Sequence, residues 1–98
     1  MMTEQQHILL KIIEECAEVS QVASKCIQFG LYETKKDADQ NNLERLCDEL
    51  QDLQDTIKIA EQILNTGLPT SNNSLSRHKK QKKLNKYKEL SRSLGQLQ

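Results

Sequence analysis

The chain has 98 residues, no net charge and only three aromatic side chains. A single domain of this size buries a modest share of its surface, so the composition predicts a homo-oligomer, a dimer or tetramer, whose facing helices supply the missing core. No apolar segment approaches the roughly 18 residues of a membrane span, and the N-terminus lacks the pattern of a signal peptide. We therefore expect a cytoplasmic protein without membrane contact.

The zero net charge combines two unlike parts. Residues 1 to 66 carry a net charge of −7, and residues 67 to 98 carry +7. The first part favours cations and the second favours anions.

The first predicted element is an amphipathic helix over about residues 3 to 29. Thr3 is a plausible N-cap and Gly30 a plausible C-terminal stop. The cysteines lack CxxC or zinc-finger spacing, so we expect reduced, apolar side chains on helix faces. The apolar stripe of this helix, with three- and four-residue steps, comprises Leu9, Ile12, Ile13, Cys16, Val19, Ala23, Cys26 and Ile27.

After an unpatterned loop over residues 31 to 40, a second helix is predicted over about residues 41 to 65. Asn41 and Glu44 have the layout of a capping box. Gly67, which can adopt the left-handed conformation, and Pro69 mark the end of the helix. One stripe of the helix contains Leu43, Leu46, Leu50, Leu53, Ile57, Ala60 and Leu64.

A polar connector from Thr70 to Ser76 leads to a third, lysine-rich helix over about residues 76 to 94. The pattern predicts an all-α fold in a single domain over residues 1 to 98. In this fold, a helical hairpin and a C-terminal helix assemble into an oligomeric core resembling a four-helix bundle.

Two pairs of acidic residues border the apolar stripes of the first two helices. At about 100° per residue, Glu15 and Glu18 lie roughly 60° apart, and so do Glu49 and Asp52. Both pairs lie about 12 to 16 Å along their helices from the connecting loop. An antiparallel hairpin would bring the four carboxylates together.

Such a cluster is unfavourable without a cation, because like charges about 4 Å apart repel by about 4 kcal/mol at an effective dielectric constant near 20. Carboxylate oxygens without His or Cys suit Mg²⁺, or Mn²⁺ as a substitute. A divalent ion in turn suits a substrate that contains phosphate. Acidic residues at helical spacing are also common on solvated faces, and spacing alone leaves that alternative open.

The same residues resemble a known family. Glu14-Glu15-Cys16-Ala17-Glu18 reads as EExxE, and Glu49-Leu50-Gln51-Asp52 reads as the ExxD of the next helix in MazG-like nucleoside triphosphate pyrophosphohydrolases. The run from Lys86 to Gly95 is similar to the tail of small, phage-type members. EExxE alone is common in helices, whereas EExxE, ExxD and this tail in that order are fairly specific.

The resemblance implies hydrolysis of a (d)NTP to a (d)NMP and pyrophosphate, in the manner of nucleotide-pool house-cleaning enzymes. It implies that Glu15, Glu18, Glu49 and Asp52 are the metal ligands. The attacking water would be activated by Glu14 or Glu18, and sequence does not choose between them. This chain lacks aromatic neighbours around Phe29 that larger members use for stacking, so base selectivity stays open.

Candidate substrate contacts are less specific, since most lysines are solvated. They are Lys25, Phe29, Lys58, Lys79, Lys83 and Lys86. Two alternatives belong to other functional classes. One is a non-catalytic helical interaction module; the other is a small nucleic-acid-binding protein that uses the basic third helix. The acidic helices and the single aromatic of the third helix, Tyr87, disfavour nucleic acid.

Overall fold

The computed structural model describes residues 1–68 and 74–98, and the fold is all-α. Its helices are α1 (Glu4–Phe29), α2 (Asn42–Leu64) and α3 (Ser74–Ser93). Within the described residues the only β pairing is an isolated antiparallel bridge between Thr34 and Asn41. Among these same residues, no helix combines the length and apolarity that crossing a membrane requires.

The predicted start and end of α1 are confirmed. The Thr3 side chain accepts a hydrogen bond from the Gln6 backbone, and the Gln6 side chain accepts one from the Thr3 backbone. This capping box satisfies two backbone donors that would otherwise have no partner. Gly30 ends the helix at φ 96°, a conformation that side chains other than glycine rarely adopt.

The capping box of α2 is also confirmed, with Asn41 and Glu44 exchanging side-chain to backbone hydrogen bonds. The end of α2 differs from the expectation. Asn65, at φ 54°, adopts the left-handed cap conformation predicted for Gly67. Asparagine tolerates this conformation because its short amide hydrogen-bonds locally, so α2 ends before the glycine.

Asn42, which is only 2% exposed, joins the loop to the first turn of α2. Its side-chain amide donates to the Gly30 carbonyl at 2.9 Å, and its backbone N–H donates to Glu33 at 3.1 Å. The next N–H, of Leu43, donates to the Leu31 carbonyl at 2.9 Å. These three bonds fix the path of the loop between the two helices.

The helices α1 and α2 pack against each other as a hairpin. Among the described residues, the buried apolar side chains are Ile8, Val22 and Ala60. The predicted stripe of α1 therefore splits: one part faces α2, while Ile13 and Ile27 stay 64% and 86% exposed. A single chain leaves much of its apolar surface in contact with water.

Helix α3 begins two residues before the predicted start. Residues 70–73 of the predicted connector lie outside the described residues, and Ser74–Ser76 belong to the helix. Among the described residues, α3 packs against neither α1 nor α2, and none of its side chains is buried. Its leucines and Tyr87 are about half exposed.

Candidate metal and phosphate site

Three of the four predicted ligands meet between α1 and α2. One carboxylate oxygen from each of Glu15, Glu18 and Glu49 lies within 4.8 Å of the other two. Glu15 and Glu49 are partly buried in the seam between the helices, and Glu18 is exposed at its edge. The antiparallel hairpin thus brings the two acidic motifs to one level, as their distances from the loop predicted.

Two oxygens of this cluster have no hydrogen-bond partner. Oε2 of Glu15 and Oε2 of Glu49 are inaccessible to solvent and unpaired within the described residues. Burying a charged oxygen without a partner is costly. The cluster therefore has unsatisfied acceptor capacity among the described residues.

The cluster raises the pKa of both partly buried carboxyls, Glu15 and Glu49. Burial raises the pKa of Glu15, and the negative charges of Glu18 and Asp52 raise it further. The pKa of Glu49 is raised first by the close approach of the Glu18 carboxyl, then by burial and by the neighbouring charges. These are the effects of desolvation and like charge, and a cation would oppose both.

The two remaining acids lie outside this group of three. Asp52 is exposed, yet it is close enough for its charge to raise the pKa of both Glu15 and Glu49. Glu14 is exposed and pairs with Lys11, its carboxylate 3.0 Å from the Lys11 ammonium. Of the two candidates for activating water, Glu18 is in the cluster and Glu14 is beside it.

A group of three cations lies towards the loop from the carboxylates, one on α1, one on α2 and one on the loop that joins them. The pKa of Lys25 is lowered by the charge of Lys35, by direct contact with that side chain, by burial and by the charge of Arg45. Nη1 of Arg45 is inaccessible to solvent and unpaired among the described residues. Like charges held close together repel, and an anion among them would relieve that repulsion. We call Lys25, Lys35 and Arg45 the basic group.

The basic group lies on the loop side of the carboxylates. Lys25 follows Glu18 by seven residues, about 10 Å along α1, and Arg45 precedes Glu49 by four residues, about 6 Å along α2. A polyphosphate bound at one end by the carboxylates would extend towards these cations. The position of Arg45, one turn from Glu49 on the same face, was a usable sequence signal that our prediction missed. Lys35 belongs to a loop without periodicity, and no such signal existed for it.

The other residues predicted to contact the substrate are spread more widely over the chain. Phe29 is exposed at the end of α1, and Lys58 lies beyond the carboxylates on α2, its ammonium 3.7 Å from Glu61. The lysines of α3 are exposed, and that helix does not contact the hairpin among the described residues. The single chain therefore brings neither Lys58 nor the α3 lysines Lys79, Lys83 and Lys86 to the carboxylates.

The donor set fits a hard divalent cation. It consists of carboxylate oxygens alone, and two of them are buried without a partner. Acidic oxygens beside a three-cation group suit a ligand that combines metal and phosphate. Comparisons with protein-family models, with curated proteins and with solved structures find no match to this chain.

Proposed function

We propose that this protein is a magnesium-dependent nucleoside triphosphate pyrophosphohydrolase, which converts a (d)NTP to a (d)NMP and pyrophosphate in the cytoplasm. The observation that carries the proposal is the carboxylate cluster, with the basic group about one to two helical turns away from it towards the loop. The order of EExxE and ExxD supports the reaction type. House-cleaning of the nucleotide pool is the setting that this activity suits.

Glu15, Glu18, Glu49 and Asp52 would hold Mg²⁺, or Mn²⁺ in its place. When bound, the ion supplies charge neutralisation at the phosphate oxygens and a lower pKa for a coordinated water. Glu18 reaches both Glu15 and Glu49 and remains open to solvent, so it is the better placed residue to take a proton from the attacking water. Glu14, which pairs with Lys11, is the alternative residue for this role.

The basic group would bind and orient the phosphates. Nη1 of Arg45 is unpaired among the described residues, and an anion would give Lys25 and Lys35 a counter-charge. Phe29 lies at the same end of the hairpin and offers a surface for the base. The enzyme would act as a homo-oligomer, a dimer or tetramer with a four-helix-bundle core, because the single hairpin buries so few apolar side chains.

The reaction type is tested by hydrolysis of a panel of nucleoside triphosphates in ¹⁸O-labelled water with Mg²⁺. We expect pyrophosphate to be released and the label to appear in the monophosphate, because attack at the α-phosphorus leaves the new oxygen there. Mass spectrometry of the products makes the measurement. Label in pyrophosphate, or release of inorganic phosphate, would contradict the assignment.

If none of the nucleoside triphosphates is hydrolysed, a rival function is favoured. A helical interaction module would show neither hydrolysis nor stabilisation by Mg²⁺, whereas a metal site raises the melting temperature as the ion is titrated. A nucleic-acid-binding protein would instead bind oligonucleotides with a steep dependence on salt. The exposed, basic α3 is the reason to include the oligonucleotide-binding assay.

The basic group is tested by comparing two neighbouring loop lysines. We expect Lys35→Gln to raise the KM for the triphosphate by about three- to tenfold, because it removes one partly solvated charge pair with phosphate. Stabilisation by Mg²⁺ alone should not change, since Lys35 does not touch the carboxylates. The matched control is Lys36→Gln, the same substitution one residue later on an exposed side chain. Equal KM values for the two variants would remove Lys35 from the phosphate site.

A further inference from the structure

Helix α3 is the most basic segment of the chain. Between positions 77 and 92 it carries eight basic side chains and a single acidic one. That acid, Glu89, pairs with Arg92 of the same helix. None of the side chains of α3 is buried, and among residues 1–68 and 74–98 it packs against neither α1 nor α2. The helix therefore presents a large excess of positive charge to an anionic partner.

One side of α3 carries a row of imidazole and amide side chains. At about 100° per residue, His78, Gln81 and Asn85 lie within roughly 60° of one another around the helix and span about 10 Å along it. Nε2 of Gln81 donates to Oδ1 of Asn85 at 3.0 Å, so the two amides lie side by side. This bond uses one donor and one acceptor, and the row offers several more of each. We call these three residues the polar row.

Lysines border the polar row on both sides. Lys82 lies about 70° from the middle of the row in one direction, and Lys88 lies about 50° from it in the other. Both side chains are exposed. Lys83, by contrast, lies about 170° from the row, on the far side of the helix. The polar row is thus bounded by two basic edges.

This arrangement matches the major groove of duplex DNA. The groove is about 12 Å wide, and an α-helix with its side chains measures about 10 to 12 Å. Base edges form the floor of the groove, where Asn and Gln side chains can pair with adenine, and the phosphates of the two strands line its edges. A helix in the groove would direct the polar row to the bases and one basic edge to each strand.

We propose that α3 binds duplex DNA by lying in its major groove, with Lys82 and Lys88 on the phosphates of opposite strands. This binding is additional to the proposed hydrolysis and does not depend on it. The acidic hairpin can remain outside the groove, because α3 packs against neither of its helices among the described residues. The shortage of aromatic side chains disfavours single strands, whose bases are bound by stacking, but a duplex does not require stacking.

An anionic lipid surface fits α3 less well. Tyr87 and Leu90 lie on the side opposite the polar row, but Lys80 and Lys83 lie among them around the helix. Insertion of that side into a bilayer would desolvate two ammonium groups. Duplex RNA also fits less well, because its deep and narrow major groove does not admit side chains. Both occupants are therefore included in the test.

The test is the binding of the full-length protein to a fluorescent DNA duplex of about 20 base pairs, two turns of B-form DNA, measured by anisotropy. We expect a dissociation constant of about 1 to 100 μM that rises steeply with salt. Lys82→Gln and Lys88→Gln should each weaken binding about three- to tenfold at about 0.1 M salt. Each should also lower the slope of log affinity against log salt by about one, because one phosphate contact is lost.

Lys83→Gln is the control, the same substitution one residue after Lys82 but on the far side of the helix. Its affinity for DNA should stay within about twofold of the wild type, since surface substitutions away from a contact have small effects. Circular dichroism checks that each variant is folded. Because Lys82 and Lys88 test separate edges, either variant decides the question if the other does not fold.

Four results would overturn the inference. The first is the absence of binding at about 0.05 M salt, where counterion release is strongest. The second is an equal loss of affinity in Lys82→Gln and Lys83→Gln, which would indicate charge without groove geometry. The third is equal or tighter binding of an RNA duplex of the same sequence. The fourth is tighter binding to phosphatidylserine vesicles than to DNA, which would make α3 a lipid-binding helix.

Discussion

Replacing Glu49 with Gln should abolish hydrolysis and at the same time stabilise the metal-free protein. The variant keeps the shape of the side chain but removes a carboxyl whose pKa is raised by Glu18, by burial and by the charges of Asp52 and Glu15. Its new amide is also a donor in the same cluster as Oε2 of Glu15, which is buried and unpaired among the described residues. The proposed ion loses a ligand, so turnover should fall by about a thousandfold, a loss typical of central catalytic groups.

The pH dependence of stability gives this prediction a second readout. Because the pKa of Glu49 is raised in the fold, the folded state holds a proton that the unfolded chain releases. Its contribution to stability is complete below the ordinary carboxyl pKa and is lost as the pH rises through the raised value. The metal-free wild type should therefore lose stability as the pH rises over that interval, and Glu49→Gln should lose less.

Thermal melts in chelator between mildly acidic and neutral pH make the comparison, together with turnover at saturating Mg²⁺. Asp55→Asn is the control, since Asp55 is an exposed acid on the same helix and its partner Gln51 retains an acceptor. Near wild-type turnover of Glu49→Gln would show that Glu49 is not a ligand. An unchanged pH profile would show that its carboxyl is not perturbed.

Asn42→Leu should cause the largest loss of stability of the substitutions considered. Leucine is close to asparagine in volume, but it leaves the Gly30 carbonyl without the amide that now bonds it at 2.9 Å. An unsatisfied, partly buried acceptor costs about 2 kcal/mol, or roughly 10 °C in melting temperature for a domain of this size. Circular dichroism melts of the full chain provide the measurement.

The control for Asn42→Leu is Gln62→Leu, which replaces an exposed amide on the same helix. Its melting temperature should stay within about 2 °C of the wild type, as surface substitutions usually do. Asn42→Leu should also raise the KM for triphosphate, because the released loop carries Lys35. An Asn42→Leu protein as stable as the control would show that the loop does not depend on this bond.

The helices and their caps were predictable because their causes are local. Thr3, Asn41 and Glu44 lie within four residues of the donors or acceptors that they satisfy. The split of the apolar stripe was not predictable in the same way. Ile12 and Ile13 belong to rows of the same helical spacing, and only packing against α2 decides that Ile12 turns inwards and Ile13 outwards.

The candidate site also combines residues that local spacing predicts with residues that only the folded chain brings together. Glu15 and Glu49 were found from helical spacing, because both helices have a regular repeat and a short connection. Lys35 depends on the loop path that Asn42 holds, and a contact between a loop and a helix leaves no period in the sequence. Asp52 is at the edge of the cluster rather than within the close group of three, a difference of side-chain reach that spacing does not resolve.

The separation of charge between the hairpin and α3 gives the molecule a large electric dipole moment. Seven excess negative charges lie in residues 1 to 66 and seven excess positive charges in residues 67 to 98. In dilute buffer, such molecules attract one another head to tail, and light scattering should report a negative second virial coefficient although the net charge is zero. At 0.15 M salt the screening length falls to about 8 Å, and the attraction should fade. Purification and storage should accordingly be easier in moderate salt than in water.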